Sequence, residues 1–215
     1  MSSPESSGPS PTPTSAATRS QAEQSTSARI GAVLFRNRSW LPVPFLIVTL
    51  LAPSHATWYN WLAGFVLIII GESIRLAGVS AAGTVTRRRS RDVQRLVNYG
   101  IFAWVRNPLY VGNFLIWIGF VVISGVWWFL PLAVLIFGIE YSLIVAYEEG
   151  VLESIFGAEY IAYKQATPRW LPRPPRATVS GPHDWGQAWK SEVSTFLQYA
   201  ALGAAFAIKQ GLSGQ

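Results

Sequence analysis

The chain contains no cysteine, so disulfides, thiolate metal sites and a cysteine nucleophile are all excluded. Histidine is nearly absent: His55 and His183 are far apart and in loop-like surroundings, which leaves no ligand set for zinc. Charge is scarce as well. Only 13% of the 215 residues are charged while 50% are hydrophobic, a balance that soluble domains rarely show. The charge that exists is basic, +6 net, but the Arg residues stand beside apolar runs, which fits orientation against an anionic leaflet better than contact with nucleic acid.

What is present in quantity is apolar and aromatic. Residues 1–29 are Ser, Pro, Thr and Ala with few apolar groups, and this composition predicts a disordered tail. The tail lacks the apolar core after a basic start that a signal peptide needs; a transit peptide is the competing reading, against which Glu5, Glu23 and the prolines count. From residue 30 to 215 the sequence reads as one all-α membrane domain, an integral bundle of about five transmembrane helices. The spans fall at about 41–56, 58–78, 109–124, 127–147 and 193–208, and the first is short for a perpendicular crossing. Trp58, Tyr59 and Trp61 anchor the second span, and Trp127 and Trp128 the fourth. Gly64, Gly71 and Gly78 recur every seventh residue, so they share a face on which another helix approaches closely. Arg87, Arg88, Arg89, Arg91 and Arg95 crowd the next loop, which the positive-inside rule makes cytoplasmic. The expected topology is multi-pass, with the N-terminus and residues 148–190 on the cytoplasmic side. An amphipathic helix is expected over residues 149–165, with Val151, Leu152, Ile155, Phe156, Tyr160 and Tyr163 on one face.

The third and fourth spans are joined only by Ser124 and Gly125, so they run antiparallel, and their other ends emerge on the same side. Arg106, Asn107, Tyr110, Glu148 and Glu149 therefore gather at one membrane face. Pro108 suits a first helical turn, where free backbone N–H groups favour an anion, and Arg106 has the fork to pair with a carboxylate or phosphate. The alternative is that Arg106 is one more interfacial positive-inside charge. Glu148 and Glu149, adjacent beside low-dielectric surface, cost free energy unless a cation or ligand meets them; the alternative is a solvated helix start. Glu72 and Arg75, one turn apart within the second span, read as a structural pair. Glu140 has no evident partner.

Gly100-Ile-Phe and Val105-Arg-Asn-Pro-Leu-Tyr-Val-Gly112, followed by Glu148, Glu149, Leu152, Phe156, Gly157, Tyr160, Tyr163, Pro168 and Arg169, resemble the isoprenylcysteine carboxyl methyltransferase and phospholipid methyltransferase superfamily of integral membrane enzymes. The similarity extends upstream to Gly71-Glu-Ser-Ile-Arg75 and covers about half of the chain. It implies a helical bundle that binds S-adenosylmethionine at its cytosolic face. Carried onto matching positions, Arg106, Asn107, Pro108, Tyr110, Gly112, Glu148 and Glu149 become cofactor-site residues, Tyr160, Tyr163 and Arg169 shape a lid, and Arg106, Glu148 and Glu149 are the catalytic candidates. A lipid or prenylated acceptor enters from the bilayer, between helices. The family often has His where this chain has Asn107, so any acid–base role at that position is lost. Methyl transfer from a sulfonium needs alignment and exclusion of water, and no metal.

Two other readings stay open. A sterol-reductase-like enzyme with a nicotinamide cofactor shares the Phe-Gly, Tyr, Tyr pattern, but an extra basic dinucleotide-phosphate motif is missing. A non-catalytic membrane protein, such as a small transporter or assembly factor, would use Arg106 and the Glu pair only as anchors. The acceptor itself, whether prenylcysteine carboxylate, phospholipid amine or small molecule, is not legible, and neither is the oligomeric state.

Overall fold

A computed structural model describes residues 15–83, 95–175 and 180–213, with side chains from residue 26 to 212 within those limits. These residues form seven α-helices and a 3-10 turn, with no strand among them. The helices are α1 (Ser15–Asn37), α2 (Pro42–Leu51), α3 (Trp58–Ala82), α4 (Pro108–Ser124), α5 (Phe129–Phe156), α6 (Ala158–Ala166) and α7 (Trp185–Ser213), and the 3-10 turn is Gly100–Ala103. The arginine-rich stretch 84–94 lies outside the described residues.

The antiparallel pair α3 and α4 is the centre of the bundle, and its glycines set the spacing. A Cβ on Gly71 would stand 2.6 Å from the Gly112 carbonyl oxygen, and one on Gly119 would stand 2.8 Å from that of Gly64. The seven-residue stripe expected on α3 is therefore matched by Gly112 and Gly119 at the same spacing on α4, and the two backbones touch. Replacing Gly71 by Val forces the helices apart. The variant is expected to lose about 2 kcal/mol or more of stability, read as an earlier thermal transition in detergent.

Helix ends follow from local chemistry. Asn60 accepts a hydrogen bond from the Thr57 backbone N–H at 2.9 Å and donates one to the Val122 carbonyl at 3.0 Å, tying the start of α3 to the end of α4. Gly125 closes α4 in the left-handed region, φ 70°, a conformation that glycine adopts without steric cost. The antiparallel turn expected there is present. Asp184 caps α7 through the Gln187 N–H at 2.9 Å, so this helix begins at Trp185, before the apolar stretch that marked it in the sequence.

Helix α7 runs antiparallel along α3. The Trp61 indole donates to Gln210 Oε1 at 2.6 Å, Gln210 Nε2 donates to the Ile123 carbonyl at 2.9 Å, and Lys209 Nζ donates to the Thr49 carbonyl at 2.7 Å. Deeper in, Arg75 Nη2 lies 3.1 Å from both oxygens of the fully buried Glu192, its Nε donates to Glu72 Oε2 at 3.2 Å, and the Tyr199 hydroxyl donates to the same Glu72 oxygen at 2.9 Å. The expected Glu72–Arg75 pair is thus part of a larger cluster that fastens α7 to α3, and Asn113 of α4 completes it through Arg75 Nη1. Glu140 joins neither this cluster nor the site below, and its Oε2 is buried without a hydrogen bond.

Helix α5 has 28 residues and is about 42 Å long at 1.5 Å per residue, well beyond a hydrocarbon core of about 30 Å. It carries Glu148 and Glu149 inside a continuous helix, and this corrects the amphipathic helix expected over 149–165. That segment is the end of α5, a break at Gly157 with φ 53°, and the separate α6. Helix α3, with 25 residues, and α5 are long and apolar enough to cross a membrane. Helix α2, at 10 residues, is about 15 Å long and stops at Leu51 instead of continuing to 56, because Pro53 follows. Helix α1 begins at Ser15, inside the stretch expected to be disordered: from Ala16 to Ile30 there is no proline or glycine, and Gln, Glu, Arg and Ala favour helix.

Candidate functional site

The ends of α3, α4, α7 and α1 at Ala82, Pro108, Trp185 and Asn37, together with the turn of α5 that carries Glu148 and Glu149, frame the site. Gly157 lets the chain turn sharply after α5, and α6 brings Tyr160 and Tyr163 into buried positions. A strap from Thr167 onward then crosses the 100–107 segment and is bonded to it at several points. The Arg106 N–H donates to the Pro168 carbonyl at 2.9 Å, Asn107 Nδ2 donates to the Arg169 carbonyl at 3.1 Å, and the Arg173 N–H donates to the Trp104 carbonyl at 3.0 Å. The Tyr163 hydroxyl fixes the 3-10 turn by donating to the Phe102 carbonyl at 2.7 Å.

This framework holds a carboxylate between two guanidinium groups. Glu149 is buried, with only 4% of its surface exposed. Arg169 grips it with a fork, Nε to Oε1 at 3.1 Å and Nη2 to Oε2, while Arg106 Nη1 stands 3.4 Å from Oε1. The Arg106 contact is an ion pair without hydrogen-bond alignment: its Nε and Nη1 are buried and donate to nothing. A buried guanidinium with unmet donors is costly, and the donor set it presents suits a carboxylate or phosphate. Burial raises the pKa of both Tyr160 and Tyr163, and for Tyr160 the Glu149 carboxylate raises it further. Both therefore stay as neutral phenols at physiological pH.

Glu148 faces another side of α5. Its Oε1 is 3.8 Å from Arg38 Nη1, its side chain is 28% exposed, and the Tyr110 hydroxyl faces it. Tyr110 is held by an edge contact with Tyr141, ring centroids 5.0 Å apart. Of the residues singled out in the sequence, Arg106, Asn107, Glu149, Tyr160, Tyr163 and Arg169 form one cluster, and Tyr110 and Glu148 form a second beside it. Pro108 starts α4 and packs toward Gly78, and Gly112 lies on the α3 side of α4 against Gly71 and Arg75, so both shape the helix pair.

Sequence reasoning missed Arg38, which gave no signal beyond its position among interfacial arginines. It also missed an apolar pocket of about 350 Å³ lined by Ile74, Ile101, Trp104, Val105, Val111 and Pro172. The pocket shares Val105 and Pro172 with the two segments that carry Arg106 and Arg169.

Comparison with known proteins bears on the same segments. Residues 59–159 match the phospholipid methyltransferase family, a stretch that holds both Arg106 and the acidic pair and ends before Tyr160. Human protein-S-isoprenylcysteine O-methyltransferase is 32% identical over 148 residues, 62% of this chain and 48% of the relative. A probable protein-S-isoprenylcysteine O-methyltransferase of Oryza sativa subsp. japonica is 35% identical over 123 residues, 54% of this chain and 62% of the relative. That of Tribolium castaneum is 32% identical over 141 residues, 62% of this chain and 49% of the relative. The chain thus spans about half the length of the human and insect relatives. No solved structure matches it significantly. Across α3, α4 and α5 the chain is thus similar to the isoprenylcysteine carboxyl methyltransferase and phospholipid methyltransferase superfamily.

Proposed function

We propose that this chain is an S-adenosylmethionine-dependent membrane methyltransferase whose acceptor is a lipidic or prenylated carboxylate. The observation that carries the reading is the buried Arg106 guanidinium with unmet donors, held beside Glu149 and next to an apolar pocket. The donor set fits the carboxylate of the methyl donor. Arg106 binds that carboxylate. Glu149, already engaged by two guanidinium groups, orients Arg106. Glu148, more exposed and with a single cation at 3.8 Å, takes the donor's ammonium. When bound, the donor supplies an electrophilic methyl group on a sulfonium. Tyr160, Tyr163 and the strap with Arg169 close over the site and keep water out.

The apolar pocket takes the acceptor's hydrocarbon chain from the bilayer side. A carboxylate acceptor is favoured over an amine, because a carboxylate arrives deprotonated, whereas an amine needs a base, and the position where the family often has His cannot supply one. Asn107 stands in that position and is committed to the Arg169 carbonyl. In this reading α2, α4 and α7 complete the bundle begun by α3 and α5, giving about five spans, and positive-inside charge puts the site and the N-terminus on the cytoplasmic side.

Transfer of labelled methyl from S-adenosylmethionine tests the reading. With detergent-purified protein, label is expected in a base-labile ester on a farnesylated cysteine bearing a free carboxylate, with none on its methyl ester and none on phosphatidylethanolamine. Label on the phospholipid amine alone would replace the carboxylate acceptor, and label on nothing would overturn the reading.

A further inference from the structure

We propose that Arg38, in the turn between α1 and α2, is a positioning residue for the methyl-donor site: it holds the Glu148 carboxylate in the orientation that meets the donor's ammonium. The inference rests on the donor-site reading above, and it gives the N-terminal helix, outside the family-matched residues 59–159, a part in that site.

Glu148 and Glu149 are adjacent carboxylates at the edge of an apolar bundle, and their cations are divided between them. Glu149 takes Arg106 and Arg169 and is closed off from solvent, whereas Glu148 faces Arg38 and Tyr110. At 3.8 Å the Arg38 contact steers Glu148 without consuming its lone pairs, and the side chain stays 28% exposed. One carboxylate is thus locked, and its neighbour is oriented by Arg38 and the Tyr110 hydroxyl with part of its surface still exposed. That is the arrangement an ammonium group requires.

Arg38 is itself held firmly. Helix α1 packs parallel to α5 so closely that a Cβ on Gly31 would lie 2.5 Å from the Leu143 carbonyl oxygen and 2.9 Å from Tyr147 Cβ. One turn on, the Phe35 ring packs against Tyr147 with centroids 5.8 Å apart, and the Arg38 guanidinium lies over that ring at 4.2 Å. The helix end is fastened by Asn37 Nδ2 donating to the Val33 carbonyl at 2.9 Å and by the Trp40 N–H donating to the Asn37 carbonyl at 2.8 Å. Without Arg38, Glu148 beside Glu149 is drawn toward Arg106 or takes a proton. Either change removes the ammonium's partner.

The test is calorimetric binding of S-adenosylhomocysteine to the full chain in detergent, comparing wild type, Arg38→Gln, Arg38→Lys, Phe35→Leu and, as a neighbouring control, Arg36→Gln. Arg38→Gln is expected to weaken binding about tenfold, and Phe35→Leu, which keeps the charge but removes its platform, about threefold. Arg38→Lys is expected to restore most of the affinity, and Arg36→Gln to match wild type. In turnover assays the donor KM rises in Arg38→Gln while the acceptor KM is unchanged. Binding by Arg38→Gln equal to wild type, or a Lys variant as weak as the Gln variant, overturns the inference while the donor site stands. Failure of the folded wild type to bind S-adenosylhomocysteine overturns both.

Discussion

Replacing Arg106 by Ala is expected to remove measurable binding of S-adenosylmethionine and S-adenosylhomocysteine and, with it, all activity. The guanidinium is buried, and its Nε and Nη1 make no hydrogen bond to the protein, so in the donor-site reading both are left for the ligand. Two charge-assisted hydrogen bonds in a desolvated site are worth about 3 kcal/mol or more, a loss of at least about 100-fold in affinity. The fold survives the change, because Glu149 keeps the Arg169 fork and the 106–168 backbone bond does not involve the side chain. Thermal unfolding of Arg106→Ala should therefore stay within a few degrees of wild type while calorimetry shows no heat of binding. Arg106→Lys, which keeps the charge but loses the fork, should recover only a fraction of the affinity.

The second large effect is expected at Glu149. Its removal leaves Arg106 and Arg169 facing each other with no carboxylate between them. Arg106 has a side chain only 10% exposed, so its charge is then buried without compensation, whereas Arg169, 38% exposed, can turn outward. Breaking a buried pair from one side costs about 3 kcal/mol or more. Glu149→Ala should therefore lower the unfolding temperature as well as abolish activity, and Glu149→Gln, which still accepts hydrogen bonds but carries no charge, should be intermediate in stability and inactive. This pattern separates the two acidic residues: Glu148→Gln is expected to keep the stability of wild type and to raise the donor KM.

Much of this arrangement is legible in the sequence where it depends on spacing along one element. The glycine stripe of α3 is local, and so is its consequence, close approach by a neighbouring helix. The Ser124–Gly125 turn fixes the direction of α4 against α5, and that alone brings Arg106 to the same end as the Glu148–Glu149 pair. What the sequence does not display is who partners whom across the bundle. Glu192 and Tyr199 reach Glu72 and Arg75 only because α7 lies antiparallel on α3, and no local pattern encodes that register. Arg169 reads as part of a lid, yet it forks onto Glu149, and that contact depends on the strap crossing back over Arg106. The division at Gly157 is also hidden by periodicity, because the apolar face of α6 continues that of α5 in phase closely enough to read as one amphipathic helix.

Binding of the methyl donor and its demethylated product to the detergent-purified chain, measured by calorimetry with NADPH as a third ligand, tests the account most directly. Micromolar affinity for S-adenosylmethionine and S-adenosylhomocysteine, with no heat from NADPH, is the predicted result. Heat from NADPH alone, or from none of the three in a protein shown to be folded, would contradict it.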